Sequence, residues 1–157
     1  MKITVVIPCR NEVLYIEECI HAIYICKLPL NAEIDVFVVD GMSDDGTRDK
    51  VDALSSSYPS LSIVDNKRQL TPFAFNLGIY AGGKTDYVQI VGARHILSTN
   101  YIFNCLTKIQ EDKTTWCVGG RIENEYINEV GEVISKAMGT TFGMGLGNFR
   151  TLDKSGF

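Results

Sequence analysis

The sequence predicts an α/β protein of the doubly wound, Rossmann type, an α/β/α sandwich built on a mostly parallel central sheet. Three observations carry this. Ile3 to Ile7 is an apolar run that stops in Pro8-Cys9-Arg10-Asn11-Glu12 ahead of a helical pattern. Ile34 to Val39 breaks in the same way into Asp40-Gly41-Met42-Ser43-Asp44-Asp45-Gly46-Thr47, and strand and helix periodicities then alternate as far as Gln110. In a parallel sheet, ligands sit in the crevice outside the carboxyl ends of the strands, so both polar turns are expected to face one site.

Between Glu12 and Cys26 the residues Ile16, Ile20 and Ile23, with Cys19 and Tyr24 beside them, fall on one helical face, and Asn11 suits the cap. Leu28 to Glu33 holds Pro29 and Asn31 and reads as a loop, after which Ile34 to Val39 is a strand rich in β-formers. Thr47 to Leu54 forms a short helix, Ser55 to Ser60 a polar surface turn, and Leu61 to Val64 a third strand. Thr71-Pro72 opens the next helix, since Thr can cap and Pro is tolerated at the first helical position. That helix runs to Tyr80 or Ala81 and stops at Gly82-Gly83. Tyr87 to Val91 is the fourth strand, and Asn100 to Gln110 returns to helical spacing through Ile102, Leu106 and Ile109. Beyond Trp116-Cys117-Val118-Gly119-Gly120 the pattern weakens. No repeat is visible, and residues 1–157 read as a single domain.

A chain of 157 residues with 45% hydrophobic content can bury a core. Its net charge of -4 speaks against a nucleic-acid partner, which needs clustered Lys and Arg. Lys67-Arg68 is the longest basic stretch, and two adjacent cations are ordinarily solvated surface. Five cysteines (Cys9, Cys19, Cys26, Cys105, Cys117) form no C-x-x-C pair and would leave one unpaired in a disulfide framework, which fits reduced thiols in the cytosol. The apolar run at the start is too short for a leader, and no stretch reaches the roughly 18–20 apolar residues of a membrane span. The expectation is a cytoplasmic protein.

The two turns suit a nucleotide: carboxylates there can accept from N–H or O–H groups while the backbone approaches closely. Asp40, at a strand end, is read as functional; Ser43, Asp44 and Asp45 are read as satisfying backbone donors in a tight turn. No G-x-G-x-x-G follows the first strand and no P-loop pattern occurs, which removes the dehydrogenase and P-loop readings. His21 and His95 are too isolated for a metal cluster, and His21 within a helix reads as structural.

Val5-Val6-Ile7-Pro8-Cys9-Arg10-Asn11-Glu12, Val38-Val39-Asp40-Gly41-Met42-Ser43-Asp44-Asp45-Gly46-Thr47, Asn76-Leu77-Gly78-Ile79 and Ala81-Gly82-Gly83 together resemble the family 2 glycosyltransferases of GT-A fold, in order and over nearly the whole chain. Phe142-Gly143-Met144-Gly145-Leu146-Gly147-Asn148-Phe149-Arg150 looks like the glycine-rich segment of a bacterial subgroup associated with exopolysaccharide assembly of the succinoglycan type. The resemblance implies a nucleotide-sugar donor, a UDP-sugar by expectation, and transfer with inversion to the hydroxyl of a sugar or lipid-linked acceptor. The full enzyme would then associate peripherally with the inner face of the membrane. Pro8, Arg10 and Glu12 would line the nucleoside pocket, Asp40 would accept from the uracil ring, and Arg68 matches a cation that contacts base or phosphate.

Two departures qualify this. The family carries an acidic D-x-D-type motif after the fourth strand, where carboxylates hold Mn or Mg against the diphosphate. This chain reads Val88-Gln89-Ile90-Val91-Gly92-Ala93-Arg94-His95 there, with Gly92 at the expected Asp. Either Arg94, helped by His95, offsets the diphosphate charge directly, or both are ordinary surface residues on a site that has lost its metal. The family's acceptor-side general base belongs to a later segment, and nothing around Asp153, the last carboxylate, marks it as that base. The expectation is therefore the donor-binding portion of a larger enzyme, with the catalytic residue unassigned. The other reading is a non-catalytic nucleotide-sugar-binding or assembly module.

Overall fold

The computed structural model describes residues 1–120, 122, 126, 128–138 and 140. The chain divides into two compact units, Met1–Thr107 and Lys108–Phe157. The first holds β1 (Lys2–Cys9), α1 (Ile16–Tyr24), β2 (Glu33–Asp40), α2 (Thr47–Ser55), β3 (Leu61–Asp65), α3 (Thr71–Gly82) and β4 (Tyr87–Ile90), and α4 (Tyr101–Glu111) begins in it. All four strands are parallel, in the order β3-β2-β1-β4. The chain thus winds outward from β1 through β2 to β3 and then crosses to the other side of β1. Such a reversal opens a crevice at the carboxyl ends, here beside β1.

The central strands show the period of two. Ile3, Val5, Ile7 and Cys9 of β1 join Val36 and Val38 of β2 in one buried cluster, which takes Ile16, Cys19, Ile20 and Ile23 of α1, Val51 of α2, and Ile102 and Leu106 of α4. Val6 and Val39 point to the opposite face and pack on Ala74 of α3. With helices on both faces, the strands read as continuous apolar runs rather than alternating ones. The layered α/β arrangement expected from the sequence is the one found.

Small residues let α3 lie close on the sheet. A Cβ at Gly78 would come within 2.4 Å of Val6 Cγ1, and one at Gly82 within 2.4 Å of Thr4 Oγ1. Gly83, at φ 62°, then ends the helix in a backbone conformation that favours glycine. Pro8 extends β1 rather than stopping it. Val6 faces β4, its carbonyl accepting from Val91, and Pro8, two residues on, faces the same side beyond the last paired residue of β4, so its missing N–H breaks no ladder bond.

Two caps differ from expectation. Asn11 does not cap α1: the helix begins at Ile16, and Asn11 sits at φ 55° with its side chain turned to the β2–α2 turn. Thr71 does not cap α3, because Leu70 is the cap residue and Thr71 is already helical. The second unit contains α5 (Glu129–Met138), which the glycine-bearing sequence did not suggest. Val130, Val133 and Ile134 of α5 are exposed, and its polar side carries a Lys136–Glu132 ion pair at 2.6 Å. The Phe142–Arg150 segment and Asp153 lie outside the described residues. Among the described residues, no helix is long and apolar enough to cross a membrane.

Candidate functional site

Register fixes the site. Cys9 pairs with Asp40 and Asp40 with Asp65, so the ends of β1, β2 and β3 stand in one row. The two turns leaving β1 and β2 are tied together. Asn11 N–H donates to Ser43 Oγ at 2.8 Å, and its amide exchanges hydrogen bonds with Asp44 at 3.0 and 3.1 Å. Glu12 N–H donates to Thr47 Oγ1 at 2.9 Å and Val13 N–H to Asp45 at 3.1 Å. Ser43, Asp44 and Asp45 therefore satisfy turn donors, as their residue types suggested, and also join one turn to the other. Two residues of this row adopt positive φ without being glycine, Asn11 at 55° and Met42 at 61°.

Between β1, β2 and the start of α3 lies a cleft of about 250 Å³ lined by Pro8, Arg10, Glu12, Gly41, Gln69 and Thr71 among others. Pro8, Arg10 and Glu12, singled out in the sequence, thus share one cavity. The Arg10 side chain lies over Gly41, where a Cβ would stand 3.2 Å from Arg10 Cβ and 3.3 Å from its Cδ. A substituent on residue 41 would push the guanidinium stem off the cleft wall. An adjoining hollow of about 240 Å³ is lined by Asp65, Asn66, Lys67, Arg68, Phe73 and Leu77. Arg68 stacks its guanidinium 4.4 Å from the Phe73 ring centroid, which places it in this second hollow and not in the first. Asn66 lines both, and its Oδ1 is buried without a hydrogen-bond partner.

Asp40 is placed differently from its sequence reading. Its side chain is 1% exposed. It accepts from Ser43 N–H at 3.0 Å, from the Ser43 hydroxyl, and from Arg48 Nη1 at 2.8 Å. The same Nη1 reaches Asp65 at 2.9 Å, so Arg48 bridges the ends of β2 and β3. Burial alone would raise the Asp40 pKa, but the hydrogen bonds from Ser43 and Arg48 outweigh it and hold the carboxyl below its usual value. Asp40 does not line the cleft itself; it holds the turn whose Gly41 does. Arg48 was missed in the sequence; its place in the first turn of α2, next to a strand-end aspartate, is the signal that points to it.

Gly92 and Arg94 lie just past β4, beside the β1–α1 turn. Arg94 Nε donates to Glu12 Oε2 at 2.7 Å, and its Cζ is 5.0 Å from the Tyr15 ring centroid. At Gly92, the backbone N–H donates to His95 Nδ1 at 3.0 Å. Cys9 borders the cleft, yet burial and the nearby Asp40, Glu12 and Asp45 carboxylates push its thiol up to about 12. A thiol held protonated is a poor nucleophile at neutral pH, so Cys9 reads as a packed wall residue.

A family model described as Glycosyl transferase family 2 matches residues 4–153. The chain is 33% identical over 98 residues to the succinoglycan biosynthesis protein ExoA of Rhizobium meliloti, covering 62% of this chain and 29% of that protein. Among solved structures it is similar to a mannosyltransferase of Pyrobaculum calidifontis in complex with GDP-Man and Mn2+, with TM-score 0.62 and 27% identity over 68% of this chain and 32% of that one. It is also similar in fold to S. aureus TarS 1-349 in complex with UDP, with TM-score 0.59 and 21% identity over 71% of this chain and 32% of that one. The chain thus spans about a third or less of the length of each of these proteins.

Proposed function

Because the chain belongs to glycosyltransferase family 2, we propose that its strand-end cleft binds the nucleotide of a sugar donor for transfer to an acceptor hydroxyl in cell-surface polysaccharide synthesis. The α/β fold is that of GT-A glycosyltransferases, as the sequence resemblance implied. The single observation that carries the binding reading is the convergence of Pro8, Arg10 and Glu12 on one cleft at the carboxyl ends of β1 and β2.

Each part of the cleft has a task in this reading. Pro8 and the Gly41 backbone form an apolar wall against which a base can lie. Arg10, held over Gly41, supplies a cation that no carboxylate among the described residues pairs with. The cleft of about 250 Å³ has room for a nucleoside, and Arg68, lining the adjoining hollow, is the cation proposed to contact the base or a phosphate. A UDP-sugar is the proposed donor; the solved neighbours were captured with UDP and with GDP-Man, so a guanine nucleotide is the competing choice. In an inverting transfer the acceptor oxygen attacks the anomeric carbon from the face opposite the leaving nucleoside diphosphate. The described residues hold and orient that leaving group.

Calorimetric titration with UDP and GDP tests the reading. One of the two is expected to bind, and Arg10→Ala is expected to weaken it about tenfold or more, the loss of one charge-assisted contact. No heat from either nucleotide at millimolar concentration would overturn it.

A further inference from the structure

The divalent cation implied by the family resemblance does not fit the residues present. Hard cations take clustered oxygen ligands, and among the described residues no three His, Cys, Asp or Glu side chains converge on a metal site. Gly92 contributes no ligand, and the space a side chain would enter is filled by the His95 imidazole: a Cβ there would lie 2.5 Å from Nδ1 and 2.8 Å from Cε1. One hydrogen bond holds the ring and one holds the turn that carries it. Gly92 N–H donates to Nδ1 at 3.0 Å, and His95 N–H donates to the Gly92 carbonyl at 2.9 Å. A neutral imidazole that accepts at Nδ1 carries its proton on Nε2, so it presents a donor and no lone pair.

Glu12, the carboxylate that reaches this segment from the β1–α1 turn, is taken by Arg94. That pairing uses only Nε. Among the described residues the four N–H bonds on Nη1 and Nη2 have no partner, on a side chain 65% exposed, while the Tyr15 ring centroid lies 5.0 Å from Cζ and gives the guanidinium a face to rest against. Glu12 cancels part of the charge but orients a planar fork that matches phosphate oxygens in pairs. The fork stands beside β1 at the topological switch, next to the cleft that Arg10 and Glu12 line.

We propose that this chain neutralises the donor diphosphate with Arg94 in place of a carboxylate-held divalent cation, Glu12 and Tyr15 serving as positioning residues for the guanidinium. The proposal rests on the donor-site reading above. The interaction is ionic and hydrogen-bonded throughout, and no bond of the protein is made or broken.

The test compares UDP with uridine on the full chain by NMR titration, in EDTA and in Mn2+, with GDP and guanosine substituted if the guanine nucleotide is the one that binds. The ratio of the two affinities isolates the diphosphate contribution. Wild-type protein is expected to bind UDP equally, within about twofold, with and without Mn2+. Arg94→Gln is expected to weaken UDP about ten- to a hundredfold and to leave uridine unchanged. Glu12→Ala should lower the same ratio, and should not lower it further in the Arg94→Gln background, which a merely structural role would not produce. A tenfold or greater gain in wild-type UDP affinity on adding Mn2+ would overturn the proposal, as would unchanged UDP binding by Arg94→Gln. If neither UDP nor uridine, nor the guanine pair, binds the wild type, the donor-site reading itself fails and this proposal with it.

Discussion

Asp40→Ala is expected to destabilise the protein before it does anything else. The buried carboxylate receives Ser43 N–H at 3.0 Å, the Ser43 hydroxyl, and Arg48 Nη1 at 2.8 Å. Alanine leaves the turn without its acceptor and leaves Arg48 with Asp65 alone. The half-buried Ser43 hydroxyl can turn to water, so the other two hydrogen bonds to the charged group, at about 1.5–3 kcal/mol each, set a range of roughly 3–6 kcal/mol. Arg48 is 34% exposed and keeps its second carboxylate, so water and Asp65 recover part of its share, and about 3 kcal/mol is the expected loss. At about 2–4 °C per kcal/mol for a chain of this size, the Tm should fall by about 6–12 °C. Asp40→Asn keeps an acceptor oxygen and should lose roughly half as much. Thermal denaturation followed by circular dichroism measures both. An Asp40→Ala protein melting within about 2 °C of wild type would refute the reasoning and return Asp40 to the purely ligand-facing role read from the sequence.

Gly78→Ala should cost about 1–3 kcal/mol in urea denaturation, because its Cβ would meet branched, buried Val6 at 2.4 and 2.8 Å and Val39 at 3.1 Å. Thr4→Val should raise the urea midpoint, by about 1 kcal/mol in stability, since Thr4 Oγ1 is buried without a hydrogen-bond partner and valine keeps its shape. Asp40 and Asp45 both have depressed folded-state pKa values, Asp45 through hydrogen bonds from Thr47 and Val13. Their contribution is present above the unfolded carboxyl pKa of about 3.9 and is lost as pH falls through the lower folded values. The urea midpoint should therefore drop below about pH 4, and drop less steeply in Asp40→Asn. Cys9 and Cys19 thiols, raised to about 12, should resist a disulfide reagent at pH 8 until the protein is unfolded, whereas exposed Cys117 reacts at once.

The sequence carried the strands and most helices because each buried stripe is local: Ile16, Ile20 and Ile23 declare one helix face, and Val36, Val38 and Val39 declare a strand covered on both sides. Strand ends in a parallel sheet share an edge, which the two polar turns announce; Pro8, Arg10 and Glu12 are named through the family resemblance, and the three line one cleft. What the sequence did not carry depends on partners far along the chain. Asn11 looks like a helix cap until Ser43 and Asp44, 32 and 33 residues on, supply better partners. Asp40 looks free until Arg48 is seen to reach back to it across α2's first turn. The Glu12–Arg94 pair spans 82 residues, and only the β1–β4 pairing brings it together. Gly92 reads in sequence as a missing ligand; that the His95 ring fills its place is a fact of packing.

Hydrogen–deuterium exchange with and without saturating UDP or GDP tests the nucleotide cleft most directly, because it locates the ligand as well as detecting it. Protection is expected in peptides covering the β1–α1 turn from Pro8 to Glu12, the start of the β2–α2 turn at Gly41, and the Asn66 to Thr71 segment that closes the cleft. Nucleotide-dependent protection that spares these three segments, or falls only on the second unit, would contradict it.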